Sequence, residues 1–392
     1  MGHPHPHPRR PRAQAPRHTF FASCAPGLEP VLLAECRALR LSRVEGQVGG
    51  VRFEGPAPDG WRAVLHLRTA TRVYRRIARF PAADPGEVYR GALEVAWDRH
   101  IGPGRTFAVD AKVSRSARAH SGFLALRVKD AVADWFRDRH GTRPDVDTAS
   151  PDVTVAAYLH RDVCTLSLDL AGRPLHRRGY RVATVPAPLA ETLAAGLVAL
   201  SGWDRRSPLL DPFCGSGTIL IEAALLASNT APGLLSQGFA FERHPGFDPG
   251  RWEEMREAAR RAVREPRKVI LRGGDADPEA VGAARRNIEA AGLGGLVEVE
   301  VADARDFAPR KGWGAFVVSN PPYGVRLDEV ETLVPLYEAF GRVLRERCAG
   351  YHVHLLLAGR RLARALALRP ERYWRLTNGG LACRLVRYGI RG

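Results

Sequence analysis

Five short apolar segments in the second half of the chain constrain its fold more than any other feature. They occur at residues 209–210, 268–271, 296–301, 315–319 and 352–357, and amphipathic helical segments separate them. Apolar strands that alternate with helices predict a parallel, doubly wound α/β sheet of the Rossmann type. Ligands of such sheets bind beyond the carboxyl ends of the strands, so polar residues at those ends are the candidate functional residues.

The first strand leads through a glycine-containing turn into an apolar helix. The turn reads Asp211-Pro212-Phe213-Cys214-Gly215-Ser216-Gly217-Thr218. Its two glycines allow a ligand to approach the backbone closely, and the free N–H groups at the helix start can bind a carboxylate. The turn lacks the third glycine of GxGxxG and the Lys-Ser/Thr pair of a P-loop. Because no histidine lies near Cys214 in sequence, we do not expect it to act as a thiol nucleophile.

Carboxylates follow the second and third strands. Asp275 ends the second strand, where an acceptor can bind both hydroxyls of a ribose. Asp277 instead reads as the cap of the next helix, since a proline follows it. Asp303, next to Ala304, follows the third strand and can accept a hydrogen bond from an adenine amino group. These acceptors suit a ligand that carries an adenosine.

The most specific motif follows the fourth strand and reads Ser319-Asn320-Pro321-Pro322-Tyr323-Gly324. An exocyclic base amine is a poor nucleophile because its lone pair is delocalised into the ring, so it needs acceptors for its N–H bonds. The Asn320 side-chain oxygen and the Pro321 carbonyl are candidate acceptors on a loop stiffened by two prolines. Tyr323 offers a stacking face for a base removed from its helix. The motif predicts methyl transfer to a base amine by direct attack, without a metal or a covalent enzyme intermediate.

The sequence of the N-terminal half predicts two α+β units, residues 18–66 and 67–171. The first predicts strands at 19–22 and 49–53 around a helix at 29–39; the second predicts strands at 106–111, 152–158 and 164–169 and a helix at 121–137. A loop at residues 112–120 carries Lys112, Arg115 and Arg118, and it reads either as a phosphate-contacting loop or as a solvated surface loop.

Charge points to a polyanionic partner. The net charge is +17, yet residues 201–350 hold 20 basic against 22 acidic side chains, so the excess lies towards both ends. Residues 351–392 alone hold nine arginines and one acid. Such a distribution favours nucleic-acid binding over uniform compositional drift.

Other features predict where the protein resides. Residues 1–17 form a basic His/Pro tail that we expect to be disordered and that lacks the apolar region of a secretory signal. No apolar run is long enough to span a bilayer. The six cysteines form no CxxC pair, which argues against a zinc site and fits reduced thiols in the cytoplasm. We expect no metal, no membrane association and no obligate protein partner.

At these residues the chain resembles class I S-adenosylmethionine-dependent methyltransferases that act on amino groups of nucleic-acid bases. It is most similar to the bacterial large-subunit rRNA guanine-N2 methyltransferases, and the similarity extends over nearly the whole chain from Phe20. Besides residues 211–218 and 320–324, the resemblance rests on residues 20–24, 27–29, 175–181, 187–189, 191–195, 231–234 and 378–381.

The resemblance implies a ferredoxin-like domain at residues 18–66, a THUMP RNA-binding domain at 67–171 and a Rossmann-like methyltransferase domain at 172–392. It implies S-adenosylmethionine as cofactor and the N2 amine of a guanosine in 23S rRNA as target. The cofactor residues would be Thr192, Asp211, Cys214, Gly215, Gly217, Thr218, Asp275, Asp303, Ala304 and Asn320. RNA contacts would come from Lys112, Arg115, Arg118, Arg177 and Arg178.

Three alternatives remain open on the sequence. The same fold could methylate guanine N2 in tRNA. The Asn-Pro-Pro-Tyr motif also serves adenine-N6 methylation of DNA, although an RNA-binding N-terminal unit argues against DNA. A catalytically dead RNA-binding protein is disfavoured because Asp211, Asp275, Asp303 and Asn320 are all present.

Overall fold

The computed structural model of the protein describes residues 16–116, 120–186, 188–266, 269–324 and 327–390. Nearly all of the expected tail, and Arg118 of the expected basic loop, lie outside the described residues. Within the described part of the chain, no helix combines the length and the apolar character that crossing a bilayer requires.

The N-terminal half contributes one seven-stranded sheet. Its strands are β1 (His18–Cys24), β2 (Ser42–Gln47), β3 (Gly50–Gly55), β4 (Ala70–Pro81), β5 (Phe107–Ser114), β6 (Val153–His160) and β7 (Val163–Asp169). Its helices are α1 (Glu29–Ala38), α2 (Ala57–His66), α3 (Pro85–Leu93) and α4 (Ser121–His140). The strand order is β2-β3-β1-β4-β7-β6-β5. Strands β5 and β6 pair in parallel, and the other neighbouring strands pair antiparallel.

The long strand β4 joins the two N-terminal α+β units. It pairs antiparallel with β1 of the first unit and with β7 of the second. The boundary that the sequence predicts between residues 66 and 67 lies just before this strand. The two units therefore share one continuous sheet.

The C-terminal half forms a second seven-stranded sheet. Its strands are β8 (Leu209–Asp211), β9 (Leu271–Asp275), β10 (Val297–Val301), β11 (Phe316–Ser319), β12 (His352–Leu357), β13 (Pro370–Asn378) and β14 (Leu381–Gly389). The helices are α5 (Glu191–Leu200), α6 (Thr218–Ala227), α7 (Pro249–Arg261), α8 (Pro278–Ala290), α9 (Leu327–Arg347) and α10 (Arg360–Ala365).

Five neighbouring strands of this sheet are parallel, as the sequence predicts, in the order β10-β9-β8-β11-β12. The chain leaves β8 towards β9 and β10 on one side and later fills β11 and β12 on the other. The strand order therefore reverses between β8 and β11, where doubly wound sheets form their binding crevice. The hairpin β13–β14 extends the sheet antiparallel to β12, so the sheet is mixed.

The second strand of this sheet is displaced from its expected position. The apolar run at 268–271 predicted it, but β9 occupies Leu271–Asp275 and includes two glycines. A Cβ on Gly273 would lie 2.6 Å from the Leu220 side chain and 2.8 Å from Cβ of Cys214. The strand therefore needs glycine where the turn after β8 packs on it. Because glycine is uncommon in strands, the sequence of these residues does not predict one.

Candidate active site

Asp211 and Ser319 join the carboxyl ends of β8 and β11. The Ser319 hydroxyl donates to Asp211 Oδ1 at 2.5 Å, and the Phe213 N–H donates to the same oxygen at 3.3 Å. Asp211 Oδ2 is buried and has no hydrogen-bond partner. Burial, with a smaller contribution from the nearby Asp275 charge, raises the pKa of Asp211 to about 7 against the opposing Ser319 and Phe213 bonds.

The turn after β8 forms an open backbone cradle. Gly215 and Gly217 both have positive φ, 52° and 80°, which favours glycine. At Gly215 a Cβ would meet nothing closer than the Val185 side chain at 4.0 Å, whereas at Gly217 it would lie 3.2 Å from Ala284. One glycine thus leaves space above the loop and the other allows close packing onto α8.

Asp275 braces this cradle from the end of β9. The Gly215 N–H donates to its Oδ2 at 2.9 Å, and the Asp277 N–H donates to its Oδ1 at 3.0 Å. Asp277 caps α8 by accepting from the Glu279 N–H, which confirms the cap expected from sequence. Each Asp275 oxygen accepts one of these bonds and retains a lone pair for a ligand hydroxyl.

Asp303 has a strong local partner that sequence reasoning did not foresee. Its side chain caps the short 3-10 turn Ala304–Asp306 by accepting from the Arg305 N–H. The Arg305 guanidinium also contacts both carboxylate oxygens, at 2.5–3.0 Å, and these hydrogen bonds lower the pKa of Asp303. Asp303 is thereby held ionised at the carboxyl end of β10.

The Asn320–Gly324 loop leaves the end of β11 next to Asp211. Asn320 Oδ1 is buried without a hydrogen-bond partner. The Tyr337 hydroxyl of α9 donates to the Pro322 carbonyl at 2.8 Å, and Asn378 Nδ2 donates to the Tyr323 hydroxyl at 2.5 Å. Two elements outside the motif therefore hold its shape.

Arg181 and Asn287 organise the site, and sequence reasoning missed both. Arg181 donates to Glu191, to the Leu189 carbonyl and to the hydroxyls of Ser216 and Thr218. Its guanidinium thus joins the start of α5 to the turn after β8. The only signal in the sequence was its place at the end of residues 175–181, one of the stretches that carry the family resemblance.

Asn287 performs a similar task from α8. Fully buried, it accepts from the Val182 and Ala183 N–H groups and donates to the carbonyls of Ala183 and Ser216. No sequence motif marks it, since a single polar residue in an amphipathic helix is unremarkable. Thr192, expected to help cover the cofactor, lies buried in the first turn of α5, on the helix that Arg181 tethers.

The residues expected to bind RNA differ in their exposure to solvent. Arg178 is 2% exposed and pairs with Glu222, so its expected contact with RNA is wrong; burial makes it a structural residue. Arg177, Lys112 and Arg115 are exposed. Lys112 lies on β5 rather than in a loop, in register with the exposed Tyr158 of β6.

Cys214 is buried, and burial raises the pKa of its thiol, with further contributions from Asp211 and Asp275. A thiol held neutral is a poor nucleophile, which agrees with the sequence reading. All six cysteines are free and buried. Across the described residues, no group of three or more His, Cys, Asp or Glu side chains has metal-ligand geometry.

This constellation lies in a chain whose regions match known families. Residues 178–387 match the RMKL-like methyltransferase domain family, residues 82–169 match the THUMP domain, and residues 19–74 match the RlmL ferredoxin-like domain. The chain belongs to the RMKL-like methyltransferase family. The ferredoxin-like, THUMP and Rossmann-like architecture expected from the resemblance is confirmed.

Similar proteins include a ribosomal RNA large subunit methyltransferase K/L of Methylococcus capsulatus, 41% identical over 95% of this chain and 51% of the relative. The chain thus spans about half the length of such relatives. A putative RNA methyltransferase of Synechocystis sp. is 36% identical over 95% of this chain and 96% of its own length. The crystal structure of a putative methyltransferase complexed with SAH superposes with a TM-score of 0.87, at 27% identity, over 96% of this chain and 99% of that one.

Proposed function

We propose that this protein transfers a methyl group from S-adenosylmethionine to the exocyclic N2 amine of a guanosine in 23S rRNA. The observation that carries this proposal is the buried, unpartnered Oδ1 of Asn320 at the carboxyl end of β11, next to the cradle after β8. A buried acceptor without a donor costs roughly 1–3 kcal/mol, which a substrate N–H would recover.

The residues present fit the cofactor. The space above Gly215 admits a ligand against the backbone, and Asp275 keeps acceptor capacity at the end of β9 for ribose hydroxyls. Asp303 and Ala304 stand at the end of β10, where an adenine would lie. When bound, S-adenosylmethionine supplies an electrophilic methyl group on its sulfonium. The SAH complex of a structural relative supports the same ligand class here.

The Asn320–Gly324 loop orients the amine. Asn320 Oδ1 accepts one N–H of the base amine, and the Pro321 carbonyl is the candidate acceptor for the second. Tyr337 fixes the loop through the Pro322 carbonyl. Hydrogen bonds from both N–H groups to these acceptors make the lone pair of the nitrogen more available for attack. The rate comes mainly from proximity and alignment. The partly buried Tyr323 ring provides the stacking face for the base.

Support for RNA as the substrate comes from the N-terminal half. The THUMP domain presents Lys112 beside exposed Tyr158, a basic and aromatic pair suited to nucleic acid. The relatives named rRNA large subunit methyltransferase K/L support large-subunit rRNA over tRNA. Buried, free thiols fit a cytoplasmic enzyme.

Asn320→Ala tests the mechanism. We expect turnover on unmodified 23S rRNA to fall roughly 10²–10³-fold, as when one preorganised polar group is removed from a reacting centre. The S-adenosylmethionine affinity, measured by calorimetric titration, should change little. Asn229→Ala, in an exposed turn after α6, is the matched control and should retain wild-type turnover. Full activity of Asn320→Ala would exclude Asn320 as the amine acceptor.

Mass spectrometry of nucleosides from the methylated RNA tests the product. N2-methylguanosine in 23S rRNA but not in tRNA is the expected result. N2-methylguanosine in tRNA alone would identify tRNA as the substrate instead. N6-methyladenosine would agree with methylation of an exocyclic amine but would exclude guanine as the target base. Methylation of a ring atom would contradict the role given to the Asn320–Gly324 loop.

A further inference from the structure

A groove of about 950 Å³ lies along one face of the β13–β14 hairpin, away from the cradle after β8. Its walls come from the hairpin, from α10 and from Pro26 and Gly27 of the N-terminal half. We name it the hairpin groove; the lining residues that matter here are Arg360, Arg364, Tyr373, Arg375 and Arg384. Its volume is at the upper end of the roughly 300–1,000 Å³ typical of ligand sites.

The hairpin groove carries positive charge that the protein leaves unneutralised. Its four arginines are exposed, and none has an acidic partner among the described residues. The sole acidic side chain of residues 351–392, Glu371, bridges Arg387 instead. An exposed cluster of free guanidinium groups fits the phosphates of a polyanion.

The two faces of the hairpin differ in whether their opposed arginines have an acidic partner. On the groove face, Arg375 lies directly opposite Arg384, a like-charge pair that destabilises a sheet. On the other face, Arg372 lies directly opposite Arg387, but Arg387 pairs with Glu371 and Arg372 stacks over Trp374. Each pair has one arginine over an aromatic ring, but among the described residues only the Arg372–Arg387 pair has an acidic partner. The charge of the Arg375–Arg384 pair therefore remains for a ligand.

An aromatic ring stands among these charges. Tyr373 is 48% exposed, and the Arg384 guanidinium lies over it, 4.9 Å from the ring centroid. Nucleotide bases stack on aromatic rings and on arginine planes, so this pair is suited to single-stranded nucleic acid.

The hairpin groove also meets the catalytic loop. Thr377 and Ala382 line its end, and the next residue pair of the hairpin is Asn378 and Leu381. Asn378 donates to the Tyr323 hydroxyl, so the groove ends one residue pair from the loop that receives the target base.

We propose that the hairpin groove binds the single-stranded RNA segment that flanks the target nucleotide, with arginines on its phosphates and a base against Tyr373 and Arg384. The assignment to this segment rests on the proposed function, because it requires the target base to lie at Tyr323. A base drawn out of its helix leaves neighbours unpaired, and these need a surface of this composition.

The test compares two double variants of the full chain, Arg375→Gln/Arg384→Gln on the groove face and Arg372→Gln/Arg387→Gln on the opposite face. Both remove two positive charges from directly opposed positions of one hairpin. Fluorescence anisotropy measures binding of a labelled, unstructured RNA of about eight nucleotides, within the roughly 4–16 nucleotides of known single-strand sites. Thermal unfolding verifies that each variant is folded.

We expect the groove-face variant to bind the RNA at least about ten-fold more weakly, with the log–log salt slope flattened by about 0.7 for each lost phosphate contact. The opposite-face variant should bind as the wild type does. Tyr373→Ala should weaken binding and Tyr373→Phe should retain it. Equal binding by all variants, or an equal loss on both faces, would overturn the proposal.

Methylation of 23S rRNA by the same preparations separates this inference from the proposed function. Loss of methylation in the groove-face variant, with S-adenosylmethionine affinity retained, supports both. If the wild type methylates no RNA while the groove-face variant still loses oligonucleotide binding, the proposed reaction fails and the RNA-binding groove stands. If the groove-face variant binds and methylates normally, the groove assignment fails alone.

Discussion

At the scale of single residues, two polar atoms mark the site. Asp211 Oδ2 and Asn320 Oδ1 are both buried without a partner at the carboxyl ends of neighbouring strands. Such atoms are costly, and most buried polar groups in proteins have partners. They lie on either side of the strand-order reversal, where the proposed cofactor and base would supply their partners.

Asp211 should also make stability depend on pH. Its pKa is raised from 3.8 to about 7, so between these values the folded state binds a proton that the unfolded state has lost. This stabilising contribution is fully present below about pH 4 and is lost as pH rises through 7. In the wild type, the free energy of unfolding should therefore fall by at most about 4 kcal/mol as pH rises from 4 through 7, at 1.36 kcal/mol per pKa unit. Asp211→Asn should abolish this fall.

Urea denaturation of the cofactor-free protein at several pH values between 4 and 8 measures this difference. Asp306→Asn, at an exposed carboxylate in the turn after β10, is the control and should leave the pH slope of the wild type unchanged. An identical slope in Asp211→Asn and the wild type would show that Asp211 is ionised throughout.

At the scale of elements, small residues and tethers let strands and loops approach closely. β9 has two glycines, and the one at 273 admits the turn after β8. Tyr337 of α9 and Asn378 of β13 hold the loop after β11. The site is thus built by several elements, none of which contains it alone.

Gly273→Ala tests this packing. The new methyl group would meet Leu220 at 2.6 Å and Cys214 at 2.8 Å, so the turn must move. Overpacking of this kind costs roughly 1–3 kcal/mol, and we also expect weaker S-adenosylmethionine binding. Gly295→Ala is the matched control because a Cβ there meets nothing within 4 Å and φ is not positive. Wild-type stability and affinity in Gly273→Ala would refute the packing argument.

At the scale of the whole molecule, the two halves share one core. A single apolar cluster includes Phe20 and Leu28 of the first domain together with Leu193, Ile221 and Leu385 of the second sheet. Polar contacts reinforce this junction: Arg68 donates to the carbonyls of Leu225 and Thr230. The N-terminal half is therefore packed directly against the C-terminal sheet through a shared core.

Arg178 and Glu222 form a buried ion pair at this junction, and Arg178 also donates to the Arg68 carbonyl. Arg178→Met removes the cation that contacts the buried Glu222 carboxyl and leaves the Arg68 charge and the Tyr180 hydroxyl near it. The free energy of unfolding should fall by about 3 kcal/mol, the lower end of the range for a broken buried pair. Adding Glu222→Leu should restore part of that loss, since apolar replacement of a buried pair is often neutral.

Chemical denaturation of both variants measures these effects, with the exposed neighbour Arg177→Ala as control. If Arg178→Met kept full stability and lost only RNA affinity, the structural role assigned to Arg178 would be wrong. In that case the original expectation of an RNA contact would be restored.

The sequence by itself determined the features that are local along the chain. The α/β alternation predicted the five parallel strands, and the residues after β8, β9, β10 and β11 marked the site, because parallel strands bring their carboxyl ends to one edge. The cap at Asp277 followed from a neighbouring proline. The family resemblance gave the three domains.

Only the tertiary structure decided features that depend on residues far apart in the chain. Arg178 is a structural residue because it is buried against Glu222, 44 residues further along the chain. Arg181 and Asn287 organise the site through contacts with segments up to 105 residues away. The antiparallel hairpin placed Arg375 opposite Arg384. A sequence shows which charges and amides a chain carries, but burial and pairing are set by long-range packing, and these decide which side chains remain free to bind a ligand.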